Sequence, residues 1–504
     1  MDVLTSTFNV VIEIVKIYNK DIKRKGELVM KKEIMPKTKI VCTIGPASES
    51  KEMLTRLVKA GMSVMRLNFS HGTHSEHEQK INTLLEINKE LGADVAILLD
   101  TKGPEIRTGD FIGGKTEFKK GQVSIICVED IVGTSERFTI TYKDLYKDVK
   151  PGGFILVNDG QVELLVDHID GSDIVCIAAN DGEVKNKRGI NVPGIKLGFN
   201  YLSPKDISDL TFGASQPFNY VAASFCRRAQ DIIDIKKLLI ENGRNDIQIL
   251  AKIENQEGVE NIDEILDIAD GVMVARGDLG VEVPAEDVPL IQKAIIKKCK
   301  EKGKIVITAT QMLESMQHNP RPTRAEVSDV ANAIYDGTDA IMLSGESASG
   351  LYPQEAVLMM AKIAHKTEAS LDYHAFQREA IATAQDDTNE AICMSVAEIA
   401  YKFNVAAIIA FTESGFTARK MSRYRTKTRI IAPTPCKETV KSLALNWGVK
   451  AVSCKALNSR ISMIDYANII ARENGVKVGE KIIVTGGTPG VKGATSYLEL
   501  IEVK

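Results

Sequence analysis

Long runs of basic residues are missing from this 504-residue chain, and its formal net charge is −3. Nucleic-acid binding rests on a basic stripe or patch, so that class has no support. Aromatic residues make up only 5%, with a single tryptophan, Trp447, too few for a base-stacking or adhesive surface. The eight cysteines are scattered without a Cys-x-x-Cys pair. That pattern offers neither a disulfide framework nor a cysteine zinc site, and it fits a reduced, cytoplasmic protein. Long hydrophobic runs are lacking too. Phe8–Tyr18 is apolar but contains Glu13 and Lys16, so it is too short and too charged to cross a bilayer. No basic segment precedes it and no small-residue cleavage site follows, which argues against a signal peptide. Residues 1–35 read as an N-terminal extension unlike the rest, and Met30-Lys-Lys is a plausible alternative start.

From Lys39 onward a rhythm sets in, of short apolar strands, polar or Gly-rich tips and amphipathic helices. The strands expected are Lys39–Ile44, Val64–Leu67, Ala96–Leu99, Tyr220–Ala223, Gln248–Ile253, Gly271–Ala275, Ile305–Ala309 and Ala340–Leu343. Eight β/α units imply a closed parallel (β/α)8 barrel, a TIM barrel, over residues 36–104 and 200–370. The interruption, 105–199, is rich in Gly and β-branched residues. Its turn signals stand at Gly113-Gly114, Pro151-Gly152-Gly153, Asn158-Asp159-Gly160 and Asp170-Gly171. It reads as a small all-β barrel inserted after strand three, placed to act as a lid. After a polar connector, residues 385–504 return to alternating strands and helices and read as a doubly wound C-terminal α/β domain.

The stretch Ile249–Val281 organises the rest. Two apolar runs end abruptly in charge, one at Lys252 and Glu254, the other at Arg276 and Asp278, with a helix expected over Val259–Ala269. Chemistry in such barrels sits at the C-terminal ends of the strands. The other tips supply Arg66, Asn68, Ser70 and His71, then Asp100, Thr101, Glu105 and Arg107, then Thr308 and Thr310, then Ser344 and Glu346. Cations there suit an anionic, phosphorylated substrate. Two carboxylates alone suit a hard divalent ion, Mg²⁺ or Mn²⁺. Blander readings stand beside these. Lys252 and Glu254, two apart on one strand face, could be a structural ion pair. Gly277-Asp278-Leu-Gly could be a plain turn. His71, His74 and His77 suggest zinc, but a capping box at Ser75 and Glu78 would make His74 and His77 a solvated helix start.

Six motifs carry a family resemblance: Lys39-Ile-Val-Cys-Thr-Ile-Gly-Pro-Ala-Ser, Met65-Arg-Leu-Asn-Phe-Ser-His-Gly, Leu99-Asp-Thr-Lys-Gly-Pro-Glu-Ile-Arg, Ala251-Lys-Ile-Glu-Asn, Val274-Ala-Arg-Gly-Asp-Leu-Gly and Ala309-Thr-Gln-Met-Leu-Glu-Ser-Met. From about Pro36 to the C-terminus the chain resembles the bacterial-type pyruvate kinases. The resemblance implies transfer of the phosphoryl group of phosphoenolpyruvate to ADP, giving pyruvate and ATP in glycolysis. Arg66 would hold the transferring group and Lys252 would stabilise it. Gly277 and Asp278, within the Ala275–Asp278 backbone, would dock the substrate carboxylate, and Thr310 would sit by the proton path. Glu254 and Asp278 would ligate Mg²⁺. Asn68, Ser70, Asp100 and Thr101 would bind K⁺, with Glu105 marking K⁺ dependence. Asn68, Phe69, Ser70, His71, Arg107 and Lys205 would contact the nucleotide. Arg276 receives no catalytic role and reads as a structural or interface residue.

In the C-terminal domain, strand Ala406–Phe411 runs into Thr412-Glu-Ser-Gly-Phe-Thr417, a small-residue turn that opens a helix and could cradle a phosphate. A tight turn without a ligand is the alternative. By resemblance, Thr412, Ser414, Gly415, Phe416 and Thr417 would hold a phosphorylated allosteric effector. The second loop, Thr485-Gly-Gly-Thr-Pro-Gly490, departs from the Trp-containing version that fructose-1,6-bisphosphate-activated animal enzymes use, which leaves the effector open. A homotetramer is the family expectation. Two other readings are an aldol or carboxylyase barrel using Mg²⁺-enolate chemistry, and a catalytically silent sensor. Residues 1–29 are expected to be dispensable. A chain started at Met30 should keep full phosphoryl-transfer activity in a coupled assay, and lost activity would refute this.

Overall fold

The computed structural model describes residues 35–487 and 495–504; residues 1–34 and the second half of the second Gly-rich loop, 488–490, lie outside them. Eight strands close into the expected barrel: β1 (Lys39–Thr43), β2 (Val64–Asn68), β3 (Ala96–Asp100), β4 (Tyr220–Ala223), β5 (Gln248–Ile253), β6 (Gly271–Ala275), β7 (Ile305–Ala309) and β8 (Ala340–Leu343). Each is parallel to its neighbours, and β8 returns to β1 with Lys39 opposite Ala340. Residues alternate between two cores, as the period of two requires. Val64, Leu98, Ala222, Leu250 and Met273 fill the barrel interior. Met65, Ile97, Val221, Ile249 and Val274 face the surrounding helices. Continuing the inward series one step up each strand gives Arg66, Asp100, Ser224 and Lys252. The site is therefore the top layer of the barrel filling.

The helices depart from expectation in places. The segment expected as one helix over Val259–Ala269 is two, Gln256–Glu260 and Ile262–Ile268. The break falls at Asn261, whose side-chain amide donates to the Arg227 carbonyl at 2.9 Å. The helix after β2 begins at His74, capped by Thr73 with Glu76 reaching back to the Thr73 N–H, so the capping box lies two residues earlier than expected. Gly277-Asp278-Leu-Gly, for which a plain turn was the blander reading, lies within a short helix, Arg276–Glu282. An unanticipated helix, Tyr373–Ala382, joins the barrel to the C-terminal domain.

The insertion folds around its own core, which includes Phe118, Phe138, Val162 and Leu164, as a seven-stranded sheet plus a two-stranded ladder. One helical turn, Leu145–Asp148, interrupts its β character. Asn158 and Asp159 adopt left-handed φ values of 56° and 55°, which is what a tight hairpin between Phe154–Val157 and Val162–Asp170 demands. The lid is tied to the barrel at its return hinge, where the Arg227 guanidinium donates to the Leu197 and Phe199 carbonyls at 2.8 and 3.3 Å.

The C-terminal sheet contains β9 (Ala407–Ala410), β10 (Ile430–Thr434), β11 (Val449–Ser453), β12 (Lys481–Gly486) and β13 (Tyr497–Glu502) in the order β11-β10-β9-β12-β13. Four strands are parallel and β13 is an antiparallel edge. Helices cover both faces, giving two separate cores, so the doubly wound reading holds. This domain docks on the N-terminal end of the barrel. Tyr220 Oη, at the start of β4, donates to the Ser442 carbonyl at 2.8 Å, and Gln248, at the start of β5, donates to the same carbonyl at 2.8 Å. Arg425 pairs with Asp339 at 2.8 Å, both buried. Leu445, fully buried, packs into the interior cluster and stops the floor of the barrel.

Cutting Leu445 to Ala should leave a cavity at that floor and cost about 2–5 kcal/mol. The midpoint of denaturant unfolding reads this directly; an unchanged midpoint would show that the plug contributes little.

Candidate active site

At the barrel mouth one buried carboxylate holds two cations. Arg66 Nε donates to Asp100 Oδ2 at 2.6 Å, and Lys252 Nζ lies 3.2 Å from Asp100 Oδ1. Arg66 also donates to the Thr43 hydroxyl at 2.7 Å. Lys252 donates to Ser224 Oγ at 2.7 Å, and that hydroxyl lies 2.7 Å from the Thr101 carbonyl and 3.1 Å from Asp100 Oδ1. Lys252 Nζ is also 2.9 Å from Glu254 Oε1, in ion contact without hydrogen-bond geometry; that oxygen has no hydrogen-bond partner. Glu254 Oε2 accepts from the Phe225 N–H at 2.6 Å. The ion pair admitted from the sequence is thus real, but it belongs to a larger cluster.

Burial and charge compete at these groups. Burial pushes the Asp100 carboxyl up, but Arg66 and Lys252 outweigh it and hold its pKa below the usual range. Burial works against charge on Lys252 as well, and Asp100 and Glu254 outweigh it, so the lysine stays protonated. At Glu254 burial wins over the neighbouring lysine and holds the carboxyl up at about 7. Burial raises the Asp278 carboxyl as well. Two neighbouring carboxyl groups of this kind titrate as a coupled pair.

The tips of β6 and β7 are joined. The Gly277 N–H donates to Thr310 Oγ1 at 2.7 Å, and Thr310 Oγ1 donates to the Ala309 carbonyl at 2.6 Å. Thr310 and Gln311 have φ of 67° and 52°, left-handed values that a β-branched residue rarely adopts and that cost about 1–3 kcal/mol each.

The other expected site residues fall into groups. Asn68 sits opposite Asp100 in the β2–β3 pairing, and its side-chain oxygen accepts from the Ser70 N–H at 3.0 Å. Thr101 Oγ1 accepts from the Ser224 N–H at 3.0 Å. The Phe69 ring is buried, stacked on His77 with centroids 4.0 Å apart, so only its backbone could reach a ligand. His71 is exposed. Arg107 lies on the lid, donating to Glu105 at 2.8 Å and to the Lys187 carbonyl at 2.7 Å. Lys205 pairs with the buried Asp209 at 2.7 Å, and His74 contacts the other oxygen of that carboxylate at 2.8 Å. Thr412, Ser414, Gly415, Phe416 and Thr417 belong to the C-terminal domain and stand apart from the mouth. Gly415 has φ 85° and caps the helix Phe416–Arg423, and Thr417 Oγ1 meets Thr495 Oγ1 at 2.9 Å.

Three readings change. His77 is buried rather than solvated, its ring set against Phe69. No group of three or more His, Cys, Asp or Glu among the described residues could hold a metal, which removes the zinc reading. Glu346, counted among the tip carboxylates, is fully buried and accepts from the Leu313 and Ser344 N–H groups at 3.0 and 2.7 Å; it braces two tips instead of facing the mouth. Ser224 was missed. Its signal was position, two residues beyond the inward-facing Ala222 of β4.

Residues 35–357 match the family model described as pyruvate kinase, barrel domain, and residues 390–501 the one described as pyruvate kinase, alpha/beta domain. A pyruvate kinase of Staphylococcus haemolyticus is 51% identical over 470 residues, covering 92% of this chain and 80% of the relative. One of Clostridium acetobutylicum is 50% identical over 469 residues, covering 92% and 99%. A crystal structure of a pyruvate kinase from Cryptosporidium parvum aligns with a TM-score of 0.90 at 37% identity, covering 94% of this chain and 97% of that one.

Asp100→Asn should strand two buried cations and cost about 3–5 kcal/mol. Urea unfolding of the metal-free protein checks this, and a loss near zero would show that the cluster holds without its central charge.

Proposed function

The chain belongs to the pyruvate kinase family and is a phosphotransferase; from that premise we infer how its barrel mouth moves the phosphoryl group of phosphoenolpyruvate to ADP, giving pyruvate and ATP. The observation that carries the reading is the buried set Arg66, Asp100, Lys252 and Glu254, with the half-buried Asp278 beside it. Phosphoryl transfer asks little covalent help of a protein; positioning and charge neutralisation do most of the work. Arg66 and Lys252 are the cations for the transferring group. Each is already oriented by Asp100, and Lys252 also by Ser224, so little reorganisation accompanies the reaction. The substrate carboxylate, on taking the Gly277 N–H, would release the Thr310 hydroxyl to serve the proton path to pyruvate.

Glu254 and Asp278 fit a divalent ion. Glu254 is fully buried and Asp278 half-buried, and Glu254 Oε1 is without a hydrogen-bond donor. Two carboxylates are the sparse donor set of Mg²⁺ or Mn²⁺, which keeps water and substrate oxygens as its other ligands. Such an ion supplies Lewis-acid neutralisation of the substrate's negative charge. Asn68, Ser70, Asp100 and Thr101 would hold K⁺. Of the roughly four acceptor sites of a carboxylate, Asp100 uses two for Arg66 and Lys252, and the Ser224 proton, nearer to the Thr101 carbonyl, leaves the others open. Asn68, Ser70, His71, Arg107, Lys205 and the Phe69 backbone would contact the nucleotide, with Arg107 carried by the lid. The Thr412–Thr417 turn would take a phosphorylated effector. A cytoplasmic homotetramer completes the reading; no helix among the described residues is long and apolar enough to cross a membrane.

Lys252→Met should lower kcat by about 10²–10³-fold in an assay coupling pyruvate formation to a dehydrogenase. Near-normal turnover would take Lys252 out of the mechanism. In the same assay the parent protein should be faster in K⁺ than in Na⁺ alone; equal rates would remove the K⁺ assignment and the inference from Glu105.

A further inference from the structure

Arg276 stands immediately after β6 with an intermediate exposure that hides how fully it is used. Its side chain crosses to the neighbouring strand, where Ala275 pairs with Ala309. Nε donates to the Ala309 carbonyl at 3.3 Å, and one terminal nitrogen donates to the Thr310 carbonyl at 2.7 Å and approaches Met312 Sδ at 2.9 Å. The other terminal nitrogen donates to Asp329 at 2.7 Å and to Gln292 Oε1 at 3.3 Å. A guanidinium has five N–H donors in one plane, and here all five have partners. The two carbonyls it grips flank Thr310, whose backbone is left-handed, as is that of Gln311. Until the substrate carboxylate takes it, the Gly277 N–H adds a third contact, on Thr310 Oγ1. From the other side Glu346 fixes the Leu313 N–H. A strained turn keeps its shape only where its surroundings over-determine it, and Arg276 is the largest single contributor.

We propose that Arg276 is a positioning residue for the proton step: it clamps the β7 tip so that the Thr310 hydroxyl is held where it serves the enolate intermediate. This rests on the reading of Thr310 given above. In that step the hydroxyl gives its proton to C3 of the enolate that phosphoryl transfer leaves and regains one from solvent. The C2=C3 π pair forms the new C–H bond, and a lone pair of the C2 oxyanion closes the carbonyl. Arg276 touches no reacting atom. A lysine there keeps the charge but not the planar fork, so it cannot hold both carbonyls and Asp329 at once.

The test is exchange of the pyruvate methyl protons with D₂O, followed by ¹H NMR with the enzyme, Mg²⁺, K⁺ and ATP, alongside kcat and the KM for ADP. Arg276→Lys is expected to slow exchange and kcat by up to about 100-fold, as misplacement of a reacting group does, with the KM for ADP unchanged. Thr310→Val should slow exchange too, and the double variant Arg276→Lys/Thr310→Val should be no slower than Thr310→Val alone. Thermal unfolding confirms that the variants are folded. If Arg276→Lys is not, Asp329→Asn, which loosens the same clamp from outside, should give a smaller loss that likewise vanishes in the Thr310→Val background. Losses that multiply independently, or normal exchange in the clamp variants while Thr310→Val is slow, overturn the proposal. Normal exchange in Thr310→Val itself overturns the reading of Thr310 and the proposal with it.

Discussion

Asp100 is the charge on which the rest of the mouth depends. It is almost fully buried, and burying an isolated carboxylate costs far more than a fold of this kind can spare. Arg66 and Lys252 would be as costly alone. Held together they remain ionised, and neither cation has to be recruited from solvent when a polyanion arrives. The arrangement is balanced against itself in a useful way: one carboxylate is shared by two cations, with Glu254 adding to the hold on Lys252, so both cations stand ready where phosphoryl oxygens would sit. Glu254 and Asp278 answer the opposite need. Burial raises both carboxyls, so in the absence of a cation the pair retains a proton rather than a second full charge.

The barrel makes this possible by geometry. Inward positions recur every second residue, so the strands that fill the interior with Val64, Leu98 and Leu250 deliver Arg66, Asp100 and Lys252 one step higher. The apolar layers below exclude water and strengthen every interaction in the charged layer. They are themselves sealed at the floor by Leu445 of the C-terminal domain. The same two strands that bear Ser224, Lys252 and Glu254 at their upper ends are anchored through Tyr220 and Gln248 to the Ser442 carbonyl at their lower ends.

The barrel was legible because its signals are periodic and local: eight apolar runs, each buried on both faces, with polar tips. The C-terminal sheet was legible for the same reason, though the antiparallel direction of β13 was not, since direction leaves no mark in a strand's composition. The charged tips could be read as a site because strand ends in a barrel converge. What could not be read was partnership. Nothing in the spacing distinguishes Glu346, which braces two loops from within, from Glu254, which faces the cluster. His77 lies on a polar-looking helix start, and only packing against Phe69, eight residues back, buries it. Asn261 breaks a helix that periodicity would continue, because a long-range bond to Arg227 wins over local propensity.

The β7 tip shows why partnership matters more than residue type at such a site. Thr310 is an ordinary hydroxyl, and its position comes from a backbone conformation that threonine disfavours. The conformation persists because donors from β6 and an acceptor beyond β8 leave the turn no relaxed alternative that keeps their bonds. Releasing the strain would leave a largely buried guanidinium with unmet donors, and the penalty for that, roughly 1–3 kcal/mol per group or more when charged, is comparable to the strain. The strained turn is therefore the lower-energy choice for the assembled mouth, although it is the higher-energy choice for the segment alone.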